Sequence, residues 1–256
     1  MQFQWNATTY HRNSQFQYDH ALEAISNHSF NTHHHILDVG CGDGKITCHI
    51  ASNVPDGQVV GIDSSPTMIA FAQSKYKAPN IQFKVESAEA LNFENQFDLI
   101  VSFACLHWVK DQDAFLKNAK KALKTNGKMI LNLYPQHPLI WGAIHDTVHA
   151  PHWFSYFLNY VNPHIHYDKE TYTQYVLNAN LTIISIKEEI PVATFESPKE
   201  AELFIRSWLP HTELLEEEMK EPFIHEIIER YLTISSHHKG NKVEIPFLRL
   251  DMCLCH

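Results

Sequence analysis

The segment Ile36-Leu-Asp38-Val-Gly40-Cys41-Gly42-Asp-Gly44 places an acid two residues ahead of three alternating glycines, at the end of an apolar run. Glycines there remove Cβ atoms, so the backbone can turn sharply from a strand into a helix and approach a ligand closely. Asp38, ahead of the first glycine, is placed where a carboxylate can receive a cationic amino group. A second acid, Asp63, closes the next apolar run, Val59-Val-Gly-Ile-Asp63. A distance of about 20 residues beyond a glycine turn suits a carboxylate that accepts both hydroxyls of a ribose. Together the two acids point to a nucleoside ligand whose far end is an amine rather than a pyrophosphate.

Such residues need a sheet to hold them. From about 35 to 134, short apolar runs alternate with amphipathic segments, the pattern of βαβ units and a parallel sheet. It predicts strands at 35–39, 58–62, 80–85, 97–102 and 127–133, and helices at 44–53, 66–76 and 111–124. Ser65-Pro66 is a helix start, and Ser197-Pro198 repeats it with Glu200 placed for a capping box. Residues 135–180, rich in aromatics, histidine and proline, are expected to be a mostly helical insertion and a lid candidate. Strand character returns at 182–193, helices are expected at 198–208 and 213–235, and 243–255 alternates as one last strand.

At 256 residues with 44% apolar content, the chain can bury one substantial core. Its formal charge of −9 leaves no basic surplus for nucleic acid or an anionic membrane. The beginning, up to Trp5, has no cationic region followed by an apolar run, and no stretch is long enough to span a bilayer, so a cytoplasmic protein is expected. Cysteines at 41, 48, 105, 253 and 255 form no CxxC pair and are expected to be reduced thiols. The histidine runs His33-His34-His35 and His237-His238 lack zinc-site spacing; they are expected at the surface, with no metal bound.

The glycine turn and its two acids resemble the first and second motifs of class I S-adenosylmethionine-dependent methyltransferases, and the resemblance extends across nearly the whole chain. It implies an α/β fold: a Rossmann-like, seven-stranded, mostly parallel sheet with the last strand antiparallel, helices on both faces and helical cap insertions. One domain is implied, with an N-terminal helical cover at 1–30, a cofactor-binding core at 31–134, a helical cap at 135–181 and C-terminal strands at 182–256 with a helical insertion at 197–240. The implied cofactor is S-adenosyl-L-methionine, leaving as S-adenosyl-L-homocysteine. In the family, the residue matching Asp38 helps hold the methionine amino group, Gly40 and Gly42 line the cofactor with Cys41 between them, and Asp63 binds the ribose. Ile62-Asp63-Ser64-Ser65-Pro66-Thr67-Met68 resembles the second motif, where Ser64 joins the site and Met68 packs on adenine; core packing suits Met68 equally. The third motif usually has an aspartate where Ser87 stands, so adenine recognition leans on Ser87 and Ala88. Phe97-Asp-Leu-Ile-Val-Ser102 and Leu123-Lys-Thr-Asn-Gly127-Lys-Met-Ile-Leu131 resemble the fourth strand and the turn into the fifth, with Phe103 and Ala104 reaching the cofactor.

Three outlying segments resemble the trans-aconitate methyltransferase group. Trp5 to Gln17 resembles an N-terminal cover, with Trp5 and Tyr10 toward the substrate and Gln17 toward the cofactor. Ala104-Cys-Leu106-His107-Trp108 resembles the loop after the fourth strand; Trp108 is then a pocket wall and His107 a possible catalytic base. Val243-Glu-Ile-Pro246-Phe247-Leu-Arg249-Leu resembles the last strand, with Phe247 and Arg249 near the substrate mouth. Arginine is the usual carboxylate clamp, and Arg206, beside Trp208, is the expected anion holder.

Methyl transfer needs alignment and a dry pocket more than a covalent nucleophile. A carboxylate acceptor needs no base, whereas an amine or hydroxyl does, with His107 the candidate. The leading expectation is carboxyl O-methylation of a small organic acid. Its rivals are methylation of malonyl-carrier protein as in biotin synthesis, N- or hydroxyl O-methylation of a small metabolite, a nicotinamide-dependent dehydrogenase, and a cofactor-binding protein without catalysis.

Overall fold

The computed structural model describes residues 5–236 and 238–256; position 237 of the second histidine run, and the first four residues of the expected cover, lie outside the described residues. Along the chain, α1 (Ala7–Asn13) and α2 (Gln15–Ile25) precede β1 (His35–Val39), α3 (Lys45–Asn53), β2 (Gln58–Asp63), α4 (Pro66–Lys75) and β3 (Ile81–Val85). Then come β4 (Phe97–Phe103), α5 (Gln112–Ala122), β5 (Leu123–Leu133), α6 (Pro138–Val148), α7 (Lys169–Asn178), β6 (Thr182–Glu189) and β7 (Val192–Phe195). The chain ends with α8 (Pro198–Arg206), α9 (Glu217–Ile234), β8 (His238–Lys239), β9 (Lys242–Pro246) and β10 (Arg249–Cys255).

Seven strands form the main sheet in the order β3-β2-β1-β4-β5-β10-β6. The pairs β1/β2, β2/β3, β1/β4 and β4/β5 are parallel, and β10 runs antiparallel to both β5 and β6. This is the seven-stranded Rossmann-like sheet that the resemblance implies, with its last strand reversed. Successive side chains on a strand face opposite sides, and both faces are covered here. Leu37 and Ile100 share one cluster with Phe115 and Ala119 of α5 and Val176 of α7, while Ile36, Leu99 and Val101 join Ile25 of α2 and Ile50 of α3 in another. Strand order reverses on either side of β1, which leaves a crevice beyond its C-terminal end, where open α/β sheets bind ligands.

Two expectations change. The expected strand 182–193 divides at Ile190-Pro191, and the expected strand 243–255 divides after Pro246. Proline has no N–H to donate to a ladder, so β7 and β9 leave the main sheet and pair with each other, and β9 also pairs with β8. The second change concerns the 135–180 insertion, whose α7 packs on the core sheet through Tyr172 and Val176. The cap is therefore built from α6, α8, α9 and the three-stranded sheet, which share Trp141, Phe204, Phe223, Ile227 and Ile245 in one cluster. Ala104 and Phe16 pack against it, so the cap overhangs the crevice.

No helix among the described residues is long and apolar enough to cross a membrane.

Candidate active site

Where β1 ends, Gly40 and Gly42 take φ of +73° and +54°, a region side chains with Cβ rarely adopt. A Cβ on Gly40 would stand 2.2 Å from Cys105 Sγ, so the loop after β4 crosses directly over this turn. The N–H groups of Gly40 and Cys41 donate to Ile62 O at 2.8 and 2.9 Å, fastening the turn to the end of β2. Ala104 also holds a left-handed φ, +51°, and its N–H donates to Asn132 Oδ1 at 2.8 Å. That strained backbone sits at the crevice mouth, where such strain concentrates.

Asp63 ends β2 with both carboxylate oxygens in use: Oδ2 accepts the Gly42 N–H at 3.0 Å and Oδ1 the Ser65 N–H at 2.8 Å. Each oxygen keeps a lone pair for a ligand. Burial pushes this carboxyl's pKa up, and the two N–H groups pull it partly back. Asp63 lines a cleft of about 280 Å³ with Gly40, Gly42, Ser64 and Met68. Ser87 and Ala88 form the end beyond β3, Phe103 and Ala104 the opposite wall, and Trp5, Tyr10 and Trp108 close over it. The sequence reading missed Glu86, Glu89, Cys105 and Lys110 on the same lining. Glu89 accepts the N–H groups of Lys110 and Asp111 at 2.9 Å each, bracing the loop after β4; the only sequence signal was its place beside Ser87-Ala88.

Asp38 departs from expectation. It is 2% exposed, accepts the Thr47 hydroxyl at 2.6 Å, and does not line the cleft. Burial pushes its pKa up to about 7, against the Thr47 hydrogen bond. It is a buried prop under the glycine turn, because α3 brings Thr47 back over β1. Cys41 is likewise buried away from the cleft, packed with Ile69, Ala72 and Phe83. Gln17 lines a neighbouring chamber instead.

That chamber, about 50 Å³, opens off the cleft and shares Trp5, Tyr10, Ala104 and Trp108 with it. His107, Tyr134, Trp141 and His164 line its depth, and Phe204, Trp208 and Phe247 bring the cap. Among the described residues, no Lys, Arg, Asp or Glu is in the wall. His107 is 5% exposed, and burial drives its pKa down to about 3, with His166 adding a smaller push. Its Nδ1 accepts the Tyr134 N–H at 3.4 Å, which assigns the proton of the neutral ring to Nε2. The His164 ring lies 4.2 Å from it, centroid to centroid. Gln17 Oε1 and His164 Nδ1 are buried without a hydrogen-bond partner.

The cover is fixed over both spaces. His11 Nδ1 lies 2.6 Å from Asp43 Oδ2, and Thr67 Oγ1 donates to Trp5 O at 3.0 Å. The Trp5 ring is 5.4 Å from Tyr10 and 5.3 Å from Trp108, edge to face.

Both arginine expectations are corrected. Arg206 pairs with Glu217 in an outer crevice beside Lys220 and Thr67, and does not line the chamber. Arg249, its side chain 2% exposed, is held by Glu23 at 2.8 Å, Glu189 at 2.7 Å and Asp251 at 2.8 Å. Three of its five N–H donors are taken by carboxylates, and Arg249 lines neither the cleft nor the chamber. Phe247, in the link between β9 and β10, does line the chamber.

A sequence profile described as "Methyltransferase domain" matches residues 36–127. The putative methyltransferase 235L of Invertebrate iridescent virus 6 is 32% identical over 233 residues, 90% of this chain and 86% of that one. Juvenile hormone acid O-methyltransferase of Bombyx mori is 27% identical over 161 residues, 59% of this chain and 58% of that one. Among solved structures, phosphoethanolamine N-methyltransferase 2 of Haemonchus contortus with S-adenosylhomocysteine superposes with a TM-score of 0.62 at 18% identity, covering 97% of this chain and 56% of that one. A chain related to a methyltransferase over nearly its whole length, and folded on the same plan, is a member of the class I S-adenosylmethionine-dependent methyltransferases, and S-adenosylmethionine is its cofactor.

Proposed function

We propose that this enzyme methylates the carboxylate oxygen of a small, largely apolar organic acid. The observation that carries the reading is the chamber itself: aromatic rings and neutral histidines contiguous with the cofactor cleft, without one charged side chain in the wall among the described residues. An acceptor carboxylate there has no protein counter-ion to weaken its attraction to a cationic cofactor. A dry, apolar enclosure also favours a reaction in which opposite charges cancel. The Bombyx mori relative, an acid O-methyltransferase by name, agrees with this class of acceptor.

When bound, S-adenosylmethionine supplies an electrophilic methyl group. The residues of the cleft fit it: Asp63 keeps acceptor capacity for a ribose diol, the Gly40–Gly42 backbone leaves room that a Cβ would fill, and Met68, Ser87 and Ala88 offer a narrow slot for a purine. Asp38 acts through the turn it supports. Trp5, Tyr10 and Trp108 exclude water from the junction of cleft and chamber. A carboxylate is already ionised at neutral pH, so no general base is required. His107, with Nδ1 engaged by Tyr134, serves as a hydrogen-bond donor from Nε2, and Gln17 offers a second polar contact.

The test is transfer from labelled S-adenosylmethionine to a panel of monocarboxylic acids, amines, phenols and a malonyl thioester. The expected product is a methyl ester of an apolar acid, released by mild base. A base-stable product from an amine or phenol, with no acid turned over, overturns the reading.

A further inference from the structure

We infer that a groove on the outer face of the cap is the second half of the acceptor site and holds an apolar tail, so that the acid is an elongated monocarboxylate. The inference rests on the acid O-methylation reading and extends it. A 50 Å³ chamber has room for about three to five water molecules, at roughly 10–15 Å³ of accessible space each. It accommodates a carboxyl group and a few carbons, so the remainder of a longer acceptor lies beyond its wall.

One wall of the chamber is built from segments that also line such a space. Pro163 lines a groove of about 500 Å³ on one side, and the next residue, His164, lines the chamber on the other. The segment after α8 repeats this, with Trp208 in the chamber and Pro210 in the groove. Between them the His211 ring packs 4.5 Å from Tyr160, which lines the groove. This partition is poorly satisfied: His164 Nδ1, His211 Nδ1 and Tyr160 Oη are all buried without a partner, in side chains whose histidines are 6% and 5% exposed. Buried polar atoms left unpaired oppose the arrangement that buries them. The wall therefore loses little by parting around a ligand.

The groove's chemistry selects the tail. Leu158 is 62% and Val161 84% exposed, and both line it with Leu214. Large apolar side chains gathered in one exposed groove mark a binding surface more than scattered single ones do. Among the described residues, the one charged side chain on the lining is Glu213. A carboxylate at that rim disfavours a second anionic end on the ligand, so a dicarboxylate fits badly and a hydrocarbon tail fits well.

The experiment measures two things on the full-length protein in parallel. Binding of butyrate, octanoate, dodecanoate and dodecanedioate is followed calorimetrically with S-adenosylhomocysteine present, and base-labile ester formation is followed with labelled S-adenosylmethionine. The expected result is affinity and kcat/KM rising by about tenfold or more from butyrate to dodecanoate, as buried methylenes require, with dodecanedioate weaker than dodecanoate. Val161→Asp should lower kcat/KM for dodecanoate more than for butyrate. Esters formed without dependence on chain length, or a Val161→Asp effect equal for both acids, overturn the groove while leaving the acid reading intact. Long acids that bind best yet yield no ester overturn the acid reading while supporting the groove. Absence of both binding and turnover overturns both.

Discussion

The backbone N–H of Tyr134 meets Nδ1 of His107 at 3.4 Å, so the one nitrogen of this buried ring able to take a proton is already engaged. A general base at this position would need that lone pair free. The rate should therefore show no histidine limb near neutral pH, because burial moves the His107 titration down to about 3. His107→Asn, which keeps a donor, is expected to retain kcat within about tenfold, whereas His107→Phe lowers it by about a hundredfold. A kcat profile with a limb near pH 6.5 that vanishes in His107→Asn would restore the base.

Asp63 links the glycine turn to the ribose side of the cleft. Its oxygens hold the N–H groups of Gly42 and Ser65 while facing the ligand space. Asp63→Asn replaces an ion that accepts on both oxygens with a group that accepts on one and donates on the other. S-adenosylhomocysteine affinity is expected to fall about ten- to a hundredfold, the worth of hydrogen bonds to a charged group. Calorimetry reads it directly, and unchanged affinity would remove Asp63 from the site.

The legible part of this protein was the part written in local pattern. Apolar runs ending in Gly40 and Asp63 located the sheet edge, and the Ser65-Pro66 signal gave the start of α4, where Ser65 Oγ does accept the Met68 N–H at 3.4 Å. Long-range partners were not legible. Asp38 was expected beside Asp63 in one crevice, and nothing in its own segment says that Thr47 claims its carboxylate. Arg249 sits on the strand the sequence indicates, yet its three acids come from α2, β6 and its own strand, separated by as many as 226 positions. The chamber histidine His164 lies in a segment without periodicity, so no pattern marked it. The nicotinamide alternative shared the glycine turn and distal acid, and whole-length kinship with a methyltransferase removes it.

Arg249 is a structural keystone by this geometry and should behave as one. Arg249→Met leaves Asp251 without its cation beside the half-exposed Glu23 and Glu189, and losing these charged hydrogen bonds is expected to lower stability by about 1–3 kcal/mol. Acceptor KM, measured below the melting transition, is expected to stay as in the unaltered enzyme. A large rise in KM with unaltered stability would return Arg249 to the substrate mouth.

Gly40→Ala tests the turn against the loop that crosses it. The new Cβ would meet Cys105 Sγ at 2.2 Å and Cys105 Cβ at 2.4 Å, at a φ of +73°. Trimming the sulfur with Cys105→Ala leaves both the second clash and the backbone strain. Gly40→Ala should therefore lose S-adenosylhomocysteine binding, and the Gly40→Ala/Cys105→Ala double variant should not regain it. Full rescue by the double variant would show that the sulfur alone sets the fit.

Acid should unfold this protein through its neutral histidines. His107 and His211, both driven down to about 3 by burial, and His164, also lowered by burial, refuse protons that the unfolded chain accepts below its ordinary value of 6.5. Stability from these groups is complete above that value and is lost as pH falls. Each contributes a slope of about 1.4 kcal/mol per pH unit. Asp38 works the other way: its native carboxyl, raised to about 7, holds a proton that the unfolded chain has released above 3.8, so its contribution is full below 3.8 and lost as pH rises to about 7. Between those limits it cancels one of the three histidine slopes. Urea unfolding from about pH 6.5 to about pH 4.5 is expected to show stability falling with acid, because His20 and His166, both lowered to about 4, join these three histidines and together outnumber the raised carboxyls Asp38, Asp63 and Asp251. His164→Asn should make it shallower by one proton and Asp38→Asn steeper by one; a flat profile would mean that these rings already take up protons in the native cap.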